Sequence, residues 1–421
     1  MSRSVAITVI VVGLAVLAGS AFCETEFEFS GQVRYRQELS SKDFDTTAKA
    51  REFRILRTRL GIEAIIEGNT HAFVQFQDSR TIGGYDQFDS LQSGTLNDGK
   101  NVDIHQAYIR VDRLFFDNFG GKFGRFELNL GNQRVFGAVG WSNVGRSWEG
   151  CQFWFDHESL KLTGLRLKAR EDDYSGGNTD FDILGLYTTL KKLNMDLFAI
   201  YEYDALEVNE ESQINQLDRI NAGTYYHRVY NQFDFDLNFV YQFGKKPNAT
   251  MDAELDIAAF LATFEAGYNF TGEKNVRLAG GIDYASGDDD PTDDKYKAYN
   301  NLYYTGHKFR GYMDYFVGSN EAGLMDLMFR AKMNPAPKWT LAGDFHFFQT
   351  AQDYDGSYGT MTDAVLTKDV GMEFDLTVTT TAVEGLGIAA GGSVFMPKEM
   401  WAGMDDPEMA YWMYVQLTAG F

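Results

Sequence analysis

Residues 27–36 set a pattern that runs through the whole chain. Phe27, Phe29, Val33 and Tyr35 fall on one side of an extended backbone, with Glu28, Gln32, Arg34 and Arg36 on the other. Successive side chains of a strand point to opposite faces, so period two with one apolar and one polar face predicts a strand between two different solvents. At 56–65, Leu56, Leu60, Ile62 and Ala64 oppose Arg57, Arg59, Gly61 and Glu63. At 233–243, Phe233, Phe235, Leu237, Phe239, Tyr241 and Phe243 oppose Asp234, Asp236, Asn238 and Gln242, and at 370–378, Met372, Phe374, Leu376 and Val378 oppose Glu373, Asp375 and Thr377. The pattern continues to the last residue, where Tyr411, Met413, Val415, Leu417, Ala419 and Phe421 share a face.

A soluble β-sandwich also alternates, but it has no reason to sort its loops by end. Here very short turns (67–69, 191–194, 231–232, 271–274, 334–338, 383–385) interleave with long polar loops (81–101, 137–147, 204–216, 287–306, 351–366, 398–408). That asymmetry predicts an all-β fold: a transmembrane, antiparallel, up-and-down barrel with short periplasmic turns and long extracellular loops. Parity then fixes the count. If 334–338 is a periplasmic turn, 323–333 descends, and 307–322 belongs to one long outer excursion, 287–322, free to fold into the lumen. The reading gives 18 strands, with 16 as the alternative count. A terminal Phe421 closing the last apolar face resembles the signal read by the barrel-assembly machinery.

Composition agrees. The chain carries 34 Phe and 23 Tyr but only 6 Pro, as expected where every strand needs its backbone N–H groups. The only long apolar run, Val5 to Ala18, follows Arg3 and precedes small residues, which predicts a cleaved signal peptide over 1–23, with cleavage after Ala21 or Cys23. Residues 24–421 then form a single outer-membrane barrel domain in contact with outer-membrane lipid and lipopolysaccharide. Bulky Phe22 argues against lipidation of Cys23, and the lone Cys151 excludes a disulfide framework. A net charge of −22 argues against nucleic acid as a partner. The six histidines show no zinc spacing, and no Gly-x-Ser-x-Gly elbow is present, so an enzyme is not expected.

Fourteen of the twenty arginines lie between Arg34 and Arg170. Charge on a lipid-facing position costs a few kcal/mol at mid-membrane. Arg34, Arg36, Arg57, Arg59, Arg110, Arg125, Arg166, Lys168 and Arg170 are therefore expected to line the lumen as a basic wall. About half would serve as scaffold, paired with Glu28, Glu38, Glu63 and Glu127. Asp234, Asp236, Asp344, Glu373 and Asp375 would form an acidic wall opposite. The run 288–294 offers a weak Ca²⁺ candidate in Asp288, Asp289, Asp290 and Asp293, with a solvated acidic loop as the ordinary reading. No other cofactor is expected.

Several stretches resemble the alginate-export family of outer-membrane channels. The longest is Leu128–Gly150 (LNLGNQRVFGAVGWSNVGRSWEG). Others are 54–61 (RILRTRLG), 77–80 (QDSR), 105–109 (HQAYI), 284–291 (YASGDDDP) and 302–316 (LYYTGHKFRGYMDYF). The resemblance implies an 18-stranded barrel with an arginine-rich pore for an anionic polysaccharide, and by motif position it adds Arg80, Arg134 and Arg146 to Arg57 and Arg59 as pore arginines. The family tends to read Gly-Arg-Gln where this chain has Gly131-Asn132-Gln133. The expectation is a passive channel for anionic or polar saccharides. A general or cation-tolerant porin and a plugged surface-binding barrel remain as alternatives.

Overall fold

The computed structural model describes residues 24–42, 44, 49–82, 102–171, 180–205, 216–248, 253–354, 367–398 and 407–421. The expected signal peptide and the tips of several outer loops lie outside the described residues. The strands are β1 (Thr25–Ser41), β2 (Arg51–Ile66), β3 (Thr70–Thr81), β4 (Asp103–Val111), β5 (Phe119–Phe126), β6 (Trp148–Asp156), β7 (Leu160–Arg170), β8 (Phe181–Leu190), β9 (Met195–Ala205) and β10 (Gln216–Tyr230). They continue with β11 (Phe233–Pro247), β12 (Glu254–Asn269), β13 (Arg277–Ala285), β14 (Lys295–Tyr296), β15 (Leu324–Met333), β16 (Trp339–Tyr354), β17 (Thr367–Thr380), β18 (Leu386–Pro397) and β19 (Ala410–Gly420). The two-residue β14 merely lies parallel to β12. The other 18 strands run antiparallel to their neighbours, β13 pairs directly with β15, and β1 pairs with β19 from Gln32–Gly420 to Ser41–Tyr411. The sheet therefore closes on itself and has no free edge, the condition for a strand-built membrane span.

Closure extends to the final residue. Gly31 N–H donates to the Phe421 carbonyl at 2.9 Å, and Phe421 N–H returns to Gly31 at 3.1 Å. The Phe421 ring lies across Gly31, where a Cβ would collide with it.

Turns at one end are tight, and Asn194 and Asn231 adopt the left-handed conformation that such turns favour. The outer face is apolar: Phe27, Phe29, Leu60, Leu184, Leu186, Phe239, Phe374 and Val415 are all exposed. Water would not tolerate this band, whereas hydrocarbon requires it.

The inner face is not uniformly polar. One apolar cluster joins Leu165, Leu167, Ile183, Ile200, Val240 and Leu261 of the wall to Leu128, Val135 and Phe136, and to Tyr299 and Leu302. A second joins Phe348, Val370, Phe395 and Trp412 to Met313 and Phe316. Two connections, 127–147 and 286–323, thus fold into the barrel and dry parts of its wall. The excursion beyond β13 was legible from parity. The inward course of 137–147 differs from the extracellular loop expected there.

Candidate functional site: the lumen constriction

Alternation aims Arg34, Arg36, Arg57 and Arg59 inward from β1 and β2, where the 127–147 segment meets them. Arg34 Nη1 donates to the Gly140 carbonyl (2.8 Å) and Nη2 to that of Ser142 (2.9 Å). Arg57, opposite Arg34 in register, reaches the same two carbonyls at 3.2 and 3.0 Å. Arg36 Nη1 donates to Trp141 O (2.8 Å), its Nε pairs with Glu38 (2.7 Å), and its guanidinium lies 3.9 Å from the Trp141 ring centre. Arg34, Arg36 and Arg57 are each 4% exposed. Two facing guanidinium groups repel, but the carbonyls of Gly140 and Ser142 accept from both. Val139 just upstream has φ +51°, a strained setting for a β-branched residue, and the clamp holds it there.

Arg59 closes the next part of the clamp, with Glu127 at 3.0 Å, Gln77 at 2.6 Å, His105 Nε2 at 2.9 Å and the Val144 carbonyl at 3.2 Å. Burial alone would raise the Glu127 carboxyl, yet hydrogen bonding to His105 and the Arg59 charge hold it below the ordinary carboxylate value. Ser79 Oγ donates to Asn143 O at 2.8 Å.

The second segment approaches from the other side. Gln242 pairs its side-chain amide with both backbone groups of Asn300 (2.8 and 2.9 Å), and Tyr303 O–H donates to Glu202 at 2.6 Å. On the opposite wall, Glu373 accepts from Met313 N–H at 2.8 Å, and Phe316 packs 4.3 Å from Phe348. The two segments meet in the lumen. Gly137 N–H donates to Tyr303 O (2.8 Å), Thr305 N–H to Gln133 O (3.1 Å), and Lys308 Nζ to Asn132 O (3.0 Å). Trp141 stacks on His307 at 4.3 Å and 6°. A cavity of about 260 Å³ beside this junction is lined by Asn132, Arg134, His227, Asp236, Lys308 and Arg330, among others. A second cavity, about 580 Å³, lies between the segments against Arg36, Glu38, Trp141 and His307.

The expected basic wall therefore divides. Arg34, Arg36, Arg57 and Arg59 face inward. Arg110 does too, paired with Asp112 at 2.6 Å. Arg134 and Arg146 sit on the inward segment: Arg134 pairs with Asp283 of β13, and Arg146 reaches the carbonyls of Gly137 and Tyr304. Four others require correction. Arg80 shares the outward face of β3 with Phe76 and pairs with Asp78 at 2.5 Å. Arg125 shares the outward face of β5 with Phe123 and pairs with Glu149 at 2.7 Å. Arg166 and Lys168 alternate with buried Leu165 and Leu167, so they point out of the barrel, with Lys168 bound to Asp180 and Asp182; a bulge between Lys168 and Arg170 then sets Arg170 opposite Phe181, on the inward side, where it binds Asp204. The cause is local. The inward segments dry the lumen side of upper β7, where leucines pack, so Lys168 pairs with Asp180 and Asp182 outside, and the bulge that follows returns Arg170 to the lumen side.

The acidic wall faces inward but is engaged. Asp234 binds Arg277, Asp344 lies near Arg330, and Asp375 accepts from Ser393. In the 288–294 loop, the Lys297 ammonium bridges Asp289 and Asp293, and Asp290 accepts from Thr292. The Lys297 ammonium thus engages two of the four carboxylates considered for Ca²⁺, and among the described residues Asp288, Asp289, Asp290 and Asp293 do not gather into a group that could hold a metal ion. Sequence reasoning did not reach Gln133, Trp141, Tyr303 and His307, because junction contacts between two loops leave no periodic signal.

The matched family model, described as alginate export, spans residues 25–414. The chain belongs to the alginate export family. Comparison with curated protein sequences gives no match. Similar solved structures include outer-membrane porins of the Occ/Opd type. A BenF-like porin from Pseudomonas fluorescens Pf-5 has TM-score 0.59 at 12% identity, covering 94% of this chain and 98% of that one. Pseudomonas aeruginosa OpdK with vanillate has TM-score 0.59 at 10% identity, with the same coverage. P. aeruginosa OccK2 (OpdF) in complex with glucuronate has TM-score 0.56 at 11% identity, again covering 94% and 98%. At these identities the likeness concerns the fold. With the family match, it makes this alginate-export family member an outer-membrane channel for small solutes, of a class whose work is transport rather than catalysis.

Proposed function

We propose that this channel passes carboxylate-bearing saccharides, polyuronates above all, by passive diffusion through the constriction. The observation that carries the reading is which charges remain unspent. The inward arginines of β1 and β2 are consumed in holding the 127–147 segment. The inward ammonium groups of Lys308, Lys122 and Lys161 have no carboxylate within ion-pair distance among the described residues. Such unpaired cations in the lumen present a locally positive field to a passing solute. Family membership points to the same class of solute, and two similar porins were crystallised with the carboxylates glucuronate and vanillate.

The test is efflux from proteoliposomes loaded with a short oligouronate or a neutral oligosaccharide of equal length. The reading expects faster uronate release. Equal rates would favour a general porin, and no release of either would favour a plugged barrel.

A further inference from the structure

Outside the clamp, one part of the lumen wall combines a flat aromatic surface with an unpaired cation. Trp154 points inward from β6, by parity with buried Trp148, and pairs with Gly120 of β5 in a register free of bulges. Its indole lies over Gly120, where any Cβ would strike the Nε1–Cε2–Cζ2 edge. Glycine at 120 therefore lets the ring lie against the wall, with its other face toward the lumen. Lys122 is two residues along the same face. Its Nζ lies 4.6 Å from the Tyr108 ring centre, and Arg110 is its register partner on β4. The ionised groups acting on Lys122 are Arg110, Glu63 and Lys161. Glu63 is engaged by His71 at 2.9 Å, and Asp112 by Arg110 and His71. Asp156, at the foot of β6, is held by Lys191. The patch thus keeps net positive charge beside an aromatic face, and it lies below the 127–147 segment, in the periplasmic half of the lumen.

We infer that Trp154 and Lys122 form a uronate subsite in the periplasmic vestibule. The pyranose C–H face stacks on the Trp154 indole, and the ring carboxylate meets the Lys122 ammonium. The backbones of diagonal neighbours across paired strands sit about 7–8 Å apart. The Lys122 ammonium, 4.6 Å from the Tyr108 ring centre and 5.3 Å from that of Phe126, swings on its four-carbon stem to meet the carboxylate of a hexopyranose stacked on Trp154. The patch serves as a loading site for a saccharide that approaches the constriction from the periplasmic side. This inference rests on the proposed polyuronate reading and names residues for it.

The test is current block of single channels in planar bilayers by an oligouronate and by a neutral oligosaccharide of equal length, added from the side of the short turns. Wild type, Trp154→Ala, Lys122→Gln and Gly120→Val are compared, each first shown to be folded by heat-modifiable migration. Lys122→Gln is expected to weaken uronate block roughly three- to tenfold and leave neutral block unchanged, as for loss of one charge-assisted hydrogen bond. Trp154→Ala is expected to weaken block by both sugars, again roughly three- to tenfold, a stacking effect. Gly120→Val, which touches neither functional group but lifts the indole, should reproduce Trp154→Ala. If wild type is blocked by uronate and all three variants are blocked equally well, the subsite is wrong while the polyuronate channel stands. If wild type itself shows no uronate preference, the polyuronate reading fails first. A Lys122→Gln channel that loses neutral and uronate block alike would overturn the assigned role of the ammonium.

Discussion

The double substitution Arg34→Gln with Arg57→Gln should release the 127–147 segment from the wall. In the native clamp the two guanidinium groups make four hydrogen bonds to the carbonyls of Gly140 and Ser142, at 2.8, 2.9, 3.2 and 3.0 Å. A hydrogen bond to a charged donor contributes about 1.5–3 kcal/mol. The four share two acceptors, and removing both guanidinium groups also removes the cost of burying them, so the sum must be discounted. A net loss of about 3–5 kcal/mol in docking remains reasonable. At about 1.4 kcal/mol per tenfold, the docked-to-released ratio falls by roughly two to three orders of magnitude. Either single variant should cost only about 1–2 kcal/mol, because the remaining guanidinium still reaches both carbonyls. Arg36 and Arg59 keep their own grips on Trp141 and Val144, so the segment should fluctuate rather than leave the lumen. The assay is single-channel recording, with protease accessibility of the segment as a second readout. The expected result is higher mean conductance and greater open-channel noise, with heat-modifiable migration unchanged. A double variant with native conductance, noise and protease resistance would refute the clamp. The arginines would then be dispensable for the constriction.

Three other outcomes follow from the same geometry. Arg80→Gln, Arg125→Gln and Arg166→Gln combined should leave ion selectivity within error of wild type, because all three side chains lie on the outer face; a changed reversal potential would return them to the lumen. Gly31→Val should impair membrane insertion much as deletion of Phe421 does, since both break the ring-on-glycine contact closing β1 on β19; native surface yield for both would contradict that closure. Val139→Gly should relieve about 1 kcal/mol of left-handed strain and raise thermal stability slightly at unchanged conductance, and a clear loss of stability would show that the Val139 side chain matters more than its backbone.

The strands were legible because lipid imposes a rule that every strand obeys. Phe233 to Phe243 had to face hydrocarbon, and the parity of ascending and descending strands fixed the rest, including the absence of a barrel strand at 307–322. The lumen obeys no such rule. Upper β7 reads equally well with Arg166 or with Leu165 and Leu167 inward, and only the arrival of Leu128, Val135 and Phe136 from another segment decides it. Arg34 and Arg57 were placed inward by alternation, but their work became visible only with the carbonyls of 140 and 142 in view. The acidic loop carried its own answer in Lys297, eight residues from Asp289, which a spacing argument for Ca²⁺ passes over.

The most direct measurement is the reversal potential of the wild-type channel under a KCl gradient at low ionic strength, where the Debye length is long enough for fixed lumen charges to act. With Lys308, Lys122 and Lys161 lacking a carboxylate partner among the described residues, the account predicts preference for chloride over potassium, declining as salt is raised. A channel that prefers potassium, and keeps that preference after the 288–294 carboxylates are neutralised, would contradict it.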